Sequence, residues 1–109
     1  MPGLRYRFMR IVLFFDLPTI TPLDRKVYRK FRKFLINDGF IMIQESVYVK
    51  LTTNYNSCNS EIERIKKNKP DNGLVQCLVI TEKQYSGIIN ITGELNHQQI
   101  DSMDRLLVL

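Results

Sequence analysis

The sequence predicts one α+β domain, in which a four-stranded antiparallel sheet carries two helices on one face. Short apolar runs with the composition of β-strands alternate with two charged segments whose apolar residues recur at helical spacing. The predicted order is strand, helix, strand, strand, helix, strand, followed by an extra C-terminal strand. This is the order of the ferredoxin-like split βαβ arrangement. A chain of 109 residues can bury one hydrophobic core but is too short for two.

The first strand is predicted from Arg5 to Phe15 and ends in five consecutive large apolar residues that begin at Ile11. Such a run is typical of a strand that is buried on both faces. Asp16 follows at the edge of the sheet. Pro18 then turns the chain away, because proline has no backbone N–H and disfavours helix in the preceding residue. Asp16 has two interpretations at this point, an ordinary turn or capping acid and a carboxylate that is available to a ligand.

A helix start follows the turn. Thr21 can cap the helix, Pro22 suits its first position, and Asp24 lies three residues after the cap. The helix is predicted to end near residue 36 or 37, before Gly39, which can adopt the left-handed conformation that ends helices. Apolar residues lie on one face and basic residues fill most of the remainder. The apolar set is Leu23, Val27, Phe31, Phe34 and Leu35, and the basic set is Arg25, Lys26, Arg29, Lys30, Arg32 and Lys33.

Two short apolar runs come next, at residues 40–44 and 46–51. Only Glu45 separates them. A connection this short indicates either a very tight hairpin or a bulge within one long bent ribbon, and the pairing is antiparallel in both cases.

The second helix is predicted from Glu61 to Lys69, with Ile62 and Ile65 facing inward. Residues 74–80 form an apolar strand in this prediction, and residues 88–91 form the short additional one. The expected domain therefore covers residues 1–93, and residues 94–109 form a tail.

Charge is distributed unevenly along the chain. Residues 1–83 carry 15 Lys or Arg and 8 acidic residues, whereas residues 84–109 carry one Arg and three acids. A basic body suits a polyanion, most simply nucleic acid, because phosphate contacts supply affinity without a particular base sequence. The alternative is a solvated, lysine-rich surface.

The chain lacks an apolar run near the roughly 20 residues that cross a bilayer, and its first residues lack the apolar segment of a signal peptide. We therefore expect a cytoplasmic protein without a membrane partner. Cys58 lies in a polar loop and Cys77 in an apolar run, without CxxC spacing or a flanking histidine, which predicts two free thiols.

The second face of the predicted sheet needs a cover. The first, second and fourth predicted strands are apolar on both faces, whereas the topology places both helices on one face. The economical solution is a homodimer with two sheets stacked face to face. The other solution is that a different protein covers the face.

Four segments carry a family resemblance: FFDLP after the first strand, YRKFRKFLINDGF across the first helix and its end, QESVY before the third strand, and VITEKQ after the fourth. In this order and spacing they resemble CRISPR-associated protein two, in the versions that accompany systems with a single large effector nuclease. The resemblance implies a homodimer between two dimers of the CRISPR integrase, CRISPR-associated protein one, where it helps to set the length of foreign DNA captured as a new spacer. Several members of the family are also described as Mg²⁺-dependent nucleases that act on single-stranded RNA or double-stranded DNA. The resemblance then implies that Asp16 binds the metal at the dimer interface.

Magnesium can be held by one or two carboxylates together with water and phosphate, so two Asp16 side chains across a two-fold axis could suffice. The other acids have structural interpretations: Asp24 as a helix cap, Glu45 as a hairpin residue and Glu82 as part of a surface turn. His97 lies in a polar segment and is expected to face solvent. An efficient general acid or base is therefore missing from the prediction.

Two functions remain, a DNA-binding scaffold that bridges integrase dimers and a magnesium-dependent endonuclease. The abundance of basic residues and the scarcity of catalytic groups favour the scaffold. The residues predicted to contact phosphate are Arg7, Arg25, Lys26, Arg29 and Lys83. A small RNA-binding domain of the same topology is disfavoured, because the sheet lacks an obvious pair of exposed aromatic residues and is expected to be buried.

The tail is locally acidic and ends in the apolar residues Leu106, Leu107, Val108 and Leu109. Such an end pairs with a sheet edge or lies in a groove of another protein. The resemblance implies contact with the integrase, and pairing within the dimer is the alternative.

Overall fold

The computed structural model describes residues 8–93. The elements in order are β1 (Met9–Asp16), α1 (Pro22–Asn37), β2 (Ile41–Gln44), β3 (Val47–Thr52), α2 (Tyr55–Lys67), β4 (Leu74–Thr81) and α3 (Glu82–Ser86). The four strands form one antiparallel sheet in the order β2-β3-β1-β4. This arrangement confirms the predicted ferredoxin-like fold. No helix among the described residues is long and apolar enough to cross a membrane.

β1 lies in the middle of the sheet and alternates between its two faces, as the two-residue period of a strand requires. Ile11, Leu13 and Phe15 are buried in the hydrophobic core beneath α1 and α2. Phe31 and Leu35 supply the side chains of α1 to this core. The core thus lies on the helix-covered face, as the amphipathic pattern of α1 predicts.

The opposite face of the sheet, which we term the open face, exposes apolar side chains. Phe14, Leu74 and Leu78 have 39%, 57% and 55% of their surface exposed. Residues 8–93 therefore leave part of this apolar face uncovered, as the number of predicted helices implied.

The ends of α1 follow the local sequence. The Thr21 side chain accepts a hydrogen bond from the Asp24 N–H, and the Asp24 carboxylate accepts one from the Thr21 N–H, each at 3.0 Å. The Thr21 N–H lowers the pKa of Asp24. Gly39 has a φ of +95° after the helix. The predicted capping box and left-handed glycine are both confirmed.

β2 and β3 form a tight hairpin with an irregular register between Met42 and Gln44. Ser46 takes a φ of +69° in the turn, and its carbonyl accepts a hydrogen bond from the Phe15 N–H at 3.1 Å. The structure therefore combines the predicted hairpin with a bulge.

The observed bounds of β1 and of α2 differ from the predicted ones. The predicted first strand includes Phe8, but β1 begins at Met9; the predicted start at Arg5 lies outside the described residues. α2 begins at Tyr55 rather than Glu61 because the Asn54 side chain caps it, accepting a hydrogen bond from the Ser57 N–H at 2.9 Å. The helix ends at Lys67 rather than Lys69.

The early start of α2 changes the setting of Cys58. This residue is buried within the helix rather than placed in a polar loop, whereas Cys77 is exposed. Both are free thiols, as predicted.

The segment after β4 also differs from the prediction. Residues 88–91 have no regular secondary structure, so the additional strand expected there is wrong. Glu82 begins the short helix α3 and is buried, although it was expected at the surface. The Arg10 guanidinium donates two hydrogen bonds to its carboxylate, at 2.6 Å and 3.1 Å, and lies 4.7 Å from the centre of the Tyr85 ring. α3 thus covers the Arg10 end of the open face.

Candidate nucleic-acid and metal site

Asp16 ends β1 on the open face and is exposed to solvent. It pairs with Leu74 at the start of β4. Gly73 packs directly against it, because a Cβ at Gly73 would lie 2.7 Å from the Asp16 carbonyl oxygen. Gly73 also has a φ of +92°, a conformation that side chains disfavour. Glycine therefore sets the backbone position of the candidate ligand.

A groove of about 470 Å³ begins at Asp16 and runs along the start of α1. Its residues are supplied by the end of β1, the following loop, α1 and the β2–β3 turn. They are Asp16, Leu17, Thr19, Arg25, Tyr28, Arg29, Glu45 and Ser46. The fold therefore brings two of the predicted phosphate contacts, Arg25 and Arg29, to the predicted metal ligand.

Arg25 already has a structural role in this groove. Its Nη1 donates to the carbonyl of Ile20 at 2.8 Å and more weakly to that of Thr19 at 3.3 Å. These bonds attach the β1–α1 loop to the helix. Arg29, one turn further along α1, is exposed in the same groove. Arg29 is thus the better placed of the two for contact with a phosphate.

The start of α1 offers few free backbone donors to an anion. Pro22 has no N–H, and the N–H of Asp24 is bonded to Thr21. Lys26 is exposed on α1 but does not line the groove. An anion at this site would therefore meet arginine side chains more than the helix terminus.

Lys83, another predicted phosphate contact, lies at the opposite end of the sheet from this groove. Lys83 is exposed on α3, which follows Thr81, and Thr81 pairs with Met9 at the opposite end of β1 from Asp16. Met9 and Asp16 are seven residue steps apart along the strand, which is about 23 Å. Arg7 and Leu106, Leu107, Val108 and Leu109 lie outside the described residues.

Glu45 is the residue that sequence reasoning missed. It occupies the hairpin turn, as predicted, but the turn lies beside Asp16, because β3 pairs with β1 and the Phe15 N–H bonds to the Ser46 carbonyl. Glu45 and Asp16 also both line a second groove of about 370 Å³ on the open face, with Phe14 and Leu74. The signal was available in the predicted topology, which places the turn before β3 next to the end of β1.

The oxygen donors of Asp16 and Glu45 suit magnesium. Asp16 and Glu45 are exposed and offer hard carboxylate oxygens, and their side chains make no hydrogen bond or ion pair with other described residues. Within residues 8–93, no three His, Cys, Asp or Glu side chains cluster as a metal site. Magnesium is compatible with such a sparse set, because it retains several water ligands and shares substrate phosphates.

The fold and this groove define a small, basic, ferredoxin-like protein with a carboxylate at the end of its first strand and arginines beside it. The family model described as CRISPR associated protein Cas2 matches residues 9–88. The chain belongs to this family.

Three of the relatives named CRISPR-associated endoribonuclease Cas2 illustrate the similarity. The protein of Treponema denticola is 50% identical over 101 residues, which cover 93% of this chain and 100% of the relative. The protein of Streptococcus mutans is 46% identical, with 93% of each chain covered. The protein of Ligilactobacillus salivarius is also 46% identical, with 93% of this chain and 100% of the relative covered.

Proposed function

We propose that this protein is a dimeric DNA-binding scaffold of CRISPR adaptation in the bacterial cytoplasm. In this function it bridges dimers of the integrase, CRISPR-associated protein one, while new spacers are captured and integrated into the array. We further assign it to a system with a single large effector nuclease, on the basis of the four sequence segments. The observation that carries the proposal is the groove in which Arg25 and Arg29 lie beside Asp16, next to the exposed apolar face.

The open face supports a second copy of the chain as its cover. Phe14, Leu74 and Leu78 expose large apolar surfaces on a sheet that the helices leave open. Burial of such surface stabilises association by about 25 cal/mol for each Å². A two-fold axis through this face would bring Asp16 and Glu45 of both chains to the edge of one interface. Arg25 and Arg29 of each chain would lie beside that chain's two carboxylates.

Asp16 and Glu45 also support a second candidate function, that of a magnesium-dependent endonuclease. The observations that favour it are the names of the relatives, which specify an endoribonuclease, and the oxygen donors of Asp16 and Glu45. These two residues would hold the ion. When bound, magnesium supplies a water of lowered pKa and polarises the phosphodiester. Arg29 would bind a phosphate in the groove and orient it, and single-stranded RNA and double-stranded DNA are the candidate substrates.

The two functions are separated by reconstitution of integration. The protein is mixed with the integrase of its own locus and a short duplex, in wild-type form and as Asp16→Ala, Arg29→Ala and Lys67→Ala. Lys67 is an exposed basic residue on α2 and serves as the matched control. The scaffold requires that Asp16→Ala and Lys67→Ala integrate normally and that Arg29→Ala is impaired.

Loss of integration in Asp16→Ala, with normal DNA binding, would instead support a metal role in the process. Cleavage of RNA or duplex DNA is measured in parallel with Mg²⁺. Cleavage by the wild type that is abolished in Asp16→Asn would support the nuclease. Equal cleavage by the wild type and Asp16→Asn would assign the cleavage to a contaminant.

For the tail, we propose that Leu106 to Leu109 contact the integrase. A protein that lacks residues 104–109 should remain a dimer of near-normal thermal stability but fail to co-purify with the integrase. A large loss of stability would assign the segment to the dimer, and undiminished co-purification would contradict the contact.

A further inference from the structure

A group of four charged side chains lies where the end of α1 meets β3 and α2, far from Asp16 in the chain. Glu61 of α2 is 3% exposed and accepts a hydrogen bond from the Lys50 ammonium of β3. Asp38, which caps the end of α1, accepts one from the Arg64 guanidinium of α2. Each carboxyl group therefore has one oxygen bound to a cation.

The second oxygen of each carboxyl group lacks such a donor. Asp38 Oδ2 and Glu61 Oε2 are both buried, and neither accepts a hydrogen bond from a donor among the described residues. The two carboxyl groups lie within hydrogen-bonding reach of each other. If both carboxyl groups were ionised, these two buried oxygens would both remain without a donor, which is unfavourable. A single proton between them satisfies both, because a protonated carboxyl group is a donor.

We propose that Asp38 and Glu61 share one proton in the folded protein, carried by Glu61, and that the resulting hydrogen bond joins the end of α1 to α2. The proposal is independent of the function of the Asp16 groove. The charged groups that face the pair are Lys50 from β3 and Arg64 from α2.

The electrostatics of the pair agree with this assignment. Burial and the neighbouring Asp38 raise the pKa of Glu61, and Lys50 opposes them. Burial also disfavours the charged form of Asp38, but hydrogen bonds from Glu61 and Arg64 outweigh it and lower the pKa of Asp38. Because the two groups are coupled, the titration belongs to the pair.

The sign of the pH effect follows from the number of bound protons. Between the ordinary glutamate pKa of 4.5 and the raised value, the folded protein binds more protons than the unfolded chain, so the contribution of Glu61 to stability falls as pH rises. Asp38 acts in the opposite sense, because its contribution is lost as pH falls through its lowered pKa. Above the upper titration of the pair, repulsion between two buried carboxylates should loosen the joint between α1 and α2.

Carboxyl ¹³C resonances of the wild-type protein test the proposal directly. The Glu61 Cδ resonance should titrate above pH 4.5, and the Asp38→Asn variant should move its midpoint downward, since the neighbouring negative charge is gone. A Glu61 carboxyl that is fully ionised from pH 5 upward would overturn the proposal.

Urea unfolding as a function of pH gives a second, independent test. Glu61→Gln retains a donor for Asp38 without a titratable proton, so the fall in stability above pH 4.5 should be absent. Glu63→Gln, the same substitution at an exposed position of α2, should retain it. Equal pH profiles in Glu61→Gln and the wild type would also overturn the proposal.

Discussion

Gly73 approaches the Asp16 carbonyl oxygen so closely that a Cβ at Gly73 would lie 2.7 Å from it. The same Cβ would lie 2.7 Å from Leu17 Cδ2. The chain leaves the sheet at Asp16 and Leu17. Gly73, just before β4, therefore holds the candidate ligand in place by direct backbone contact.

Gly73→Ala should therefore lower the free energy of unfolding. A strained backbone conformation alone costs about 1–3 kcal/mol, and the clash with backbone adds to it. Gly93→Ala is the matched control, because Gly93 has a φ of +93° and no atom within 4 Å of the added Cβ. Urea midpoints should show the larger loss for Gly73→Ala, and amide shifts at residues 16 and 17 should move only in that variant. Equal losses would mean that strain, rather than contact with Asp16, determines the cost.

The buried pair of Arg10 and Glu82 leads to a second expectation. Their side chains are 2% and 8% exposed. Removal of one partner of a buried pair typically costs about 3–5 kcal/mol, because the remaining charge stays buried. Glu82→Ala should show a loss of this size by chemical unfolding. Glu63→Ala, which breaks the exposed pair with Lys66, should change stability by less than about 1 kcal/mol. Similar small losses in both variants would mean that α3 separates easily from the sheet.

Dimerisation through the open face predicts a large effect of Leu78→Asp. A buried leucine contributes about 1.5–3 kcal/mol, and a two-fold interface contains it twice, so the dimer dissociation constant should rise by about two to four orders of magnitude. Ile20→Asp is the control, because Ile20 is 85% exposed in the β1–α1 loop rather than on the sheet. Light scattering should find a monomer for Leu78→Asp and a dimer for Ile20→Asp. A wild-type protein that is monomeric at micromolar concentration would contradict the stacked sheets.

DNA affinity should depend on salt through the groove arginines. Each neutralised phosphate contributes about 0.9 to the slope of log affinity against log salt concentration for duplex DNA. Arg29→Ala should therefore reduce the slope by about 0.9 for each phosphate that Arg29 neutralises in the wild-type complex. Fluorescence anisotropy between roughly 50 and 200 mM salt measures this slope. Lys67→Ala should leave it nearly unchanged, and an unchanged slope in Arg29→Ala would place Arg29 in solvent.

Local sequence determined the elements that local interactions stabilise. The capping box of Thr21 and Asp24 spans three residues, and Gly39 acts at a single backbone position, so both could be predicted without knowledge of the rest of the chain. The alternating pattern of β1 and the helical spacing of α1 likewise predicted which face each element buries. Together with the order of the elements, these features were enough for the topology.

The tertiary structure decided the roles of individual acids. Glu82 was expected at the surface, but it is buried against Arg10, which lies 72 residues away in the chain. Glu45 lies beside Asp16 only because β3 pairs with β1, and Glu61 meets Asp38 only because α2 packs at the end of α1. A carboxylate has the same local sequence signal whether it caps, pairs or binds a ligand. Its role depends on partners supplied by distant segments, and strand register and helix packing determine which partners these are.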